Sequence, residues 1–256
     1  MKRISIAVAL VALSSISVLA ADLGARPITK APPIDPTYNW SGFYIGANAG
    51  YGVAKNEHAD ITPGGAWWTA FAGAGSIQTI DPRGAVYGGQ IGYNWQAANW
   101  VFGLEGQFNG ADLKRTDLSK FYPDTDFLSS KINSIGTVTG RLGYAFNNWL
   151  PYIKGGYAAA HLETKNFDTS DDYLSHSAWR SGYVVGTGLE VAFAANWILG
   201  VEYNYMDFGG KSFSGTDIGG SVDPARKNET FNDNLKLQTV TARLSYKFGS
   251  PNVAKY

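Results

Sequence analysis

Residues 42–54 read GFYIGANAGYGVA. Phe43, Ile45, Ala47, Ala49, Tyr51 and Val53 fall on one side of a two-residue alternation, with Tyr44, Gly46, Asn48, Gly50 and Gly52 on the other. Successive side chains of a strand point to opposite faces, whereas a helix would need a period near 3.6. The stretch is therefore a long strand, apolar on one face and small or polar on the other.

The same alternation recurs over about residues 85–96, 100–109, 132–146, 149–161, 182–193, 197–208 and 235–248. Its connections are of two kinds. Short ones carry Asn-Trp: AANW at 97–100 and again at 194–197, NNW at 147–149, with YNW at 38–40 ahead of the first strand. Trp40, Trp100, Trp149 and Trp197 thus recur at intervals of about 48 to 60 residues, the period of a supersecondary unit. The other connections, about 54–84, 110–131, 162–181 and 209–234, read as long polar loops. Eight strands with short turns at one end and long loops at the other predict an all-β fold, an eight-stranded antiparallel up-and-down barrel.

Alternation alone does not say which face is inside. A soluble ligand-carrying barrel keeps its apolar face inward. Here the charged residues well inside strands are Glu105, Arg141, Lys154, Glu190, Glu202, Arg243 and Lys247, and all fall on the polar face with the glycines. Small residues suit a narrow lumen, and a charge facing lipid would cost about 2–4 kcal/mol at the bilayer midplane. The apolar face therefore points outward and the barrel is transmembrane. Trp40, Trp100, Trp149 and Trp197 open the odd strands at the short-turn end, while Trp95 and Phe248 close even ones there, predicting a periplasmic aromatic belt. Tyr51, Tyr87, Phe108, Tyr157, Tyr183 and Tyr205 predict its counterpart at the other interface.

The ends and the composition agree with export. Lys2 and Arg3, an apolar run at 4–13 and Val18-Leu19-Ala20 predict a signal peptide over 1–20. A proline-containing periplasmic lead segment at 21–39 follows, then the barrel at 40–256. Cysteine is absent, and basic and acidic residues number 21 each, so no basic excess points to nucleic acid.

KAPPIDPTYNWSGFYIGANAGYG (30–52), WLPYIKGGYA (149–158) and RLSYKFGSPNVAKY (243–256) resemble the alphaproteobacterial outer membrane immunogenic, or porin-family, β-barrel proteins, whose fold is similar to the OmpA membrane domain. The resemblance covers residues 39–256. It implies a surface-exposed barrel of the bacterial outer membrane, with a part in envelope integrity and antigenicity. It further implies contact with outer-membrane lipid and lipopolysaccharide, handling by the barrel-assembly machinery, and surface ligands met through the long loops. Either Phe248 or Tyr256 serves as the terminal aromatic of the assembly signal.

Glu105, Arg141, Lys154, Glu190, Glu202 and Arg243 come from six strands and face one narrow interior, so they are expected to form a salt-bridge network. The network is either a plug or a gate across a small pore. The corresponding functions are a structural, surface-interaction or antigenic barrel with a plugged lumen and, as the alternative, a porin-like passive channel for small solutes. No enzyme, metal or cofactor is expected. His58, His161 and His176 fall in loops or at a strand rim, and adjacent residues in SHS (175–177) seldom adopt triad geometry. DTSDDY (168–173) lacks the ligand spacing of a calcium loop. Trp67, Trp68 and Phe71 form either an adhesive patch or a cover over the barrel mouth.

Overall fold

The computed structural model describes residues 38–60, 77–119, 126–168, 173–214, 216–217 and 230–249. The expected signal peptide, nearly all of the proline-containing lead, the Trp67, Trp68 and Phe71 patch and Tyr256 lie outside the described residues.

Among the described residues ten strands follow one another: β1 (Gly42–Asp60), β2 (Ile77–Ile80), β3 (Arg83–Ala97), β4 (Trp100–Leu118), β5 (Asp126–Tyr144), β6 (Trp149–Asp168), β7 (Tyr173–Ala192), β8 (Trp197–Ser214), β9 (Thr216–Asp217) and β10 (Thr230–Lys247). Each long strand pairs antiparallel with the next, and β1 closes on β10 from Tyr44 opposite Lys247 to Asp60 opposite Phe231. Closure gives each long strand a partner on both sides in its lower, lipid-facing part, as a sheet in lipid requires. The short β2 extends the line of β3 along β1, with Asn56 opposite Ile80. The two are parted at Asp81-Pro82 because proline has no N–H to give the ladder. The Pro82 carbonyl still accepts from the Ala54 amide at 2.8 Å.

Asn-Trp marks tight hairpins. Ala97 pairs with Trp100 and Phe146 with Trp149, leaving two residues in each turn. The first of those residues has positive φ, 52° at Ala98 and 56° at Asn147, the sense of twist that two-residue hairpins need. Asparagine tolerates that region, and the tryptophan begins the next strand.

Of the four connections read as long polar loops, 110–131 and 162–181 are mostly strand, and 54–84 and 209–234 are strand at both ends. The long strands run for 15 to 20 residues, against about 9–11 needed to cross a bilayer. The β5–β6 ladder continues as far as Asp126 opposite Asp168. Above the membrane both faces can be polar, so hydropathy alternation fades while backbone pairing persists. Bulges also break the pattern. An extra residue between Ile132 and Ser134 lets Ile132 and Ile135, three apart, both face inward.

The lumen is not polar throughout. On the long-loop side of the charges it holds an apolar cluster that includes Leu113, Ile132, Ile135, Leu162, Met206, Phe208 and Leu237, all buried. Beyond the bilayer the outer face meets water, so apolar side chains there gain by turning inward, and a narrow barrel packs them as a core. Within the bilayer the facing is the reverse. Phe108, Leu104, Ile153 and Val138 are exposed outward, Val138 at 64%. Val138→Arg is expected to destabilise the folded barrel by about 2–4 kcal/mol. Urea titration in lipid vesicles, read by the heat-dependent gel shift, measures this, and an unchanged midpoint would remove Val138 from the lipid face.

Candidate functional site

Six charges meet at mid-height in the lumen, none more than 5% exposed. Glu105 of β4 sits among three cations: Arg141 Nη1 at 3.5 Å, Lys154 Nζ at 3.1 Å, and Arg243 Nη2 in close contact. Glu202 of β8 takes Lys154 Nζ at 2.7 Å on Oε1 and Arg243 Nη1 on Oε2. Glu190 of β7 is held by both terminal nitrogens of Arg141, at 3.2 and 2.6 Å, with Arg243 Nη2 at 3.7 Å. Three carboxylates thus face three cations, and the set is neutral. Forked Arg–carboxylate contacts are the strong form of such pairs.

Two tyrosines complete the network. Tyr44 donates to Glu105 Oε2 at 2.8 Å and accepts from Arg141 at 3.1 Å. Tyr152 donates to Glu202 Oε2 at 2.6 Å and accepts from Arg243 at 3.0 Å. The Arg141 guanidinium also lies 3.9 Å from the centroid of the Tyr152 ring. Each ring has room because a glycine stands opposite it, Gly92 for Tyr44 and Gly188 for Tyr152. A Cβ at either glycine would lie 2.4 Å from the phenolic oxygen.

A second block closes the short-turn end. Trp40, read as a belt residue, is fully buried. It packs with Val101, Ala145, Leu150, Ala192 and Ile198, and edge-on to Tyr38 at 4.9 Å. Its indole N–H donates to the Asn147 carbonyl at 3.3 Å. Trp40 departs from the belt because it precedes β1. At Gly42 the backbone adopts φ 137°, and a Cβ there would sit 2.9 Å from the Phe248 carbonyl oxygen. The chain before that glycine turns under the barrel, where Lys247 Nζ donates to the Asn39 carbonyl. Trp95, Trp100, Trp149, Trp197 and Phe248 lie on the outer face, 42–50% exposed. Trp100 stacks on Tyr144 and Trp197 on Tyr246, both edge-on.

The family described as an outer membrane protein beta-barrel domain matches residues 6–248. The chain belongs to that outer-membrane β-barrel family. It is 30% identical over 261 residues to a 31 kDa outer-membrane immunogenic protein of Brucella melitensis, covering 97% of this chain and 100% of the relative. The outer membrane protease OmpT from Escherichia coli shares the fold with a TM-score of 0.52 at 9% identity, covering 83% of this chain and 98% of that one. OprG from Pseudomonas aeruginosa does so at 0.50 and 12%, covering 84% and 100%. This outer-membrane barrel is therefore an integral protein of the bacterial outer membrane.

An internal repeat in this outer-membrane barrel underlies the network. TVTGRLGYAF at 137–146 returns as TVTARLSYKF at 239–248. Tyr44, Gly92, Glu105 and Arg141 in the first four long strands correspond to Tyr152, Gly188, Glu202 and Arg243 in the last four. The register agrees: Gly92 is opposite Glu105 and Gly188 opposite Glu202, while Glu105 is opposite Thr139 and Glu202 opposite Thr241. Reading the AANW repeat as one end of this longer match would have brought Tyr44 and Tyr152 into the site.

The histidines occupy strands rather than loops. His58 of β1 is buried, with Nδ1 2.5 Å from Asp233 Oδ1. His176 and Ser177 are consecutive in β7 and so point to opposite faces, which separates the pair that SHS suggested. Burial, and then the nearby Arg180 cation, lower the His176 pKa. Residues 169–172 of DTSDDY lie outside the described residues.

Proposed function

We propose that this outer-membrane barrel is a structural and surface-presenting element with a closed lumen, rather than a solute channel. The observation that carries the reading is the neutral six-charge network spanning the lumen from β4, β5, β6, β7, β8 and β10. Charges withdrawn from water are costly unless paired, and here each meets at least two opposite partners or one forked one. Eight strands leave an interior just wide enough for side chains. Trp40 below and the apolar cluster above add two further layers. The outer face offers an apolar band to lipid and lipopolysaccharide, and the strands that continue past it carry the loops outward, where surface ligands and antibodies meet them.

Purified protein in planar bilayers is expected to give no steady current steps above the lipid baseline. Reproducible ohmic steps would sink the closed-lumen reading in favour of a passive channel. In that case Glu105→Gln should alter the conductance.

A further inference from the structure

The outer face carries a hydrogen-bonded chain that the lumen does not use. Ser177 Oγ of β7 lies 3.3 Å from His161 Nε2 of β6, and His161 Nδ1 lies 3.0 Å from Asn133 Oδ1 of β5. Nucleophile-type oxygen, imidazole and orienting acceptor therefore stand in line, with each ring nitrogen given one partner. The amide oxygen has no hydrogen to give, so facing it His161 carries its proton on Nδ1 and leaves Nε2 as the base. Asn133 reaches this position because it is the extra residue of the β5 bulge, between Ile132 opposite Leu162 and Ser134 opposite His161. Ser177 is exposed.

The surroundings are those of a membrane boundary. Trp179 packs edge-on against His161 at 5.2 Å, and the cross-strand pair Tyr157 and Tyr183 lies on the bilayer side. All three aromatics are more than half exposed outward. On the other side Ser177 is opposite Glu163, which is opposite Lys131 and bound to Lys165 Nζ at 2.9 Å. Apolar aromatics thus give way to paired charges of both signs within a few residues, as hydrocarbon gives way to headgroups. Acyl ester bonds of lipids lie at that level.

We propose that Ser177, His161 and Asn133 form an interfacial esterase site for acyl esters of outer-leaflet amphiphiles. Ser177 Oγ attacks the ester carbonyl carbon while His161 Nε2 takes the hydroxyl proton. The C–O bond to the alcohol then breaks, and His161 returns the proton to the departing alkoxide. Water, deprotonated by the same imidazole, hydrolyses the acyl-serine, which releases the carboxylic acid and restores Ser177. Asn133 is a positioning residue, acting through His161.

The test uses the folded full-length barrel in detergent, with two substrates in separate arms, phosphatidylglycerol vesicles and purified lipopolysaccharide. Free fatty acid is read by mass spectrometry, and a fluorophosphonate probe is mapped by peptide sequencing. Wild type is expected to release fatty acid in one arm and to carry the probe on Ser177. Ser177→Ala and His161→Ala should each lower release by about 100-fold or more while keeping the gel shift of the folded barrel. Asn133→Ala should lower it about tenfold and Asn133→Asp should keep it, since a carboxylate accepts the same Nδ1 proton. Absence of both release and labelling in wild type, or release that survives Ser177→Ala, overturns the proposal.

Discussion

Arg243→Met is expected to lower the stability of the folded barrel by about 3–5 kcal/mol, the cost of leaving buried carboxylates without their cation. Arg243 touches Glu105, Glu202 and Glu190 and donates to Tyr152, so among the three cations of the network it is the one that meets every carboxylate. Its loss leaves Arg141 and Lys154 against three carboxylates. The excess negative charge then faces Glu105 and Glu202, both almost fully buried. Adding Glu202→Gln restores neutrality, and the double variant should regain a substantial part of the loss despite carrying one change more. Equilibrium unfolding in urea, followed by the gel shift between folded and unfolded bands, gives both numbers. A single variant within about 1 kcal/mol of wild type would mean the pairs contribute no more than surface ion pairs do.

Trp40→Ala should be nearly as damaging, at about 3–5 kcal/mol, because a large ring is removed from a closed space. The comparison that makes this decisive is Trp100→Ala. Trp100 is half exposed on the outer face, so truncating it removes contact with lipid and with Tyr144 without opening a cavity. The Trp40 variant should therefore unfold at clearly lower urea than the Trp100 variant. Equal midpoints would return Trp40 to the belt. The six-charge layer above is untouched by Trp40→Ala, so no current is expected from that variant in planar bilayers either.

The facing of the strands was legible because two independent costs act on the same residues. Lipid excludes Glu105, Arg141 and Lys154 from one face, and the narrow lumen crowds Phe102, Leu142 and Ile153 off the other. Where one of those pressures lapses, legibility goes with it. Past the bilayer the facing reverses, with Leu113, Ile132 and Leu162 turned inward, so the upper parts of β5, β6 and β7 leave the membrane alternation and read as loop. Trp40 carries the same Asn-Trp signature as Trp100 and Trp149, and only the backbone turn at Gly42 distinguishes it. Tyr44 and Tyr152 alternate with the correct face but look apolar, so charge alone did not gather them. The Ser177, His161 and Asn133 chain draws on three strands and one bulge, a juxtaposition that no local spacing encodes.

The repeat carries a lesson about how such a lumen can change. The first half contributes Glu105 and Arg141, and the second contributes Lys154, Glu190, Glu202 and Arg243, so each half is neutral alone. At the places matching Lys154 and Glu190 the first half has Gly46 and Asn94. One half thus carries a cation and an anion that the other lacks, and the two cancel. A closed, dry lumen admits a new charge only beside its opposite, so an interior of this kind can change only in such compensated pairs.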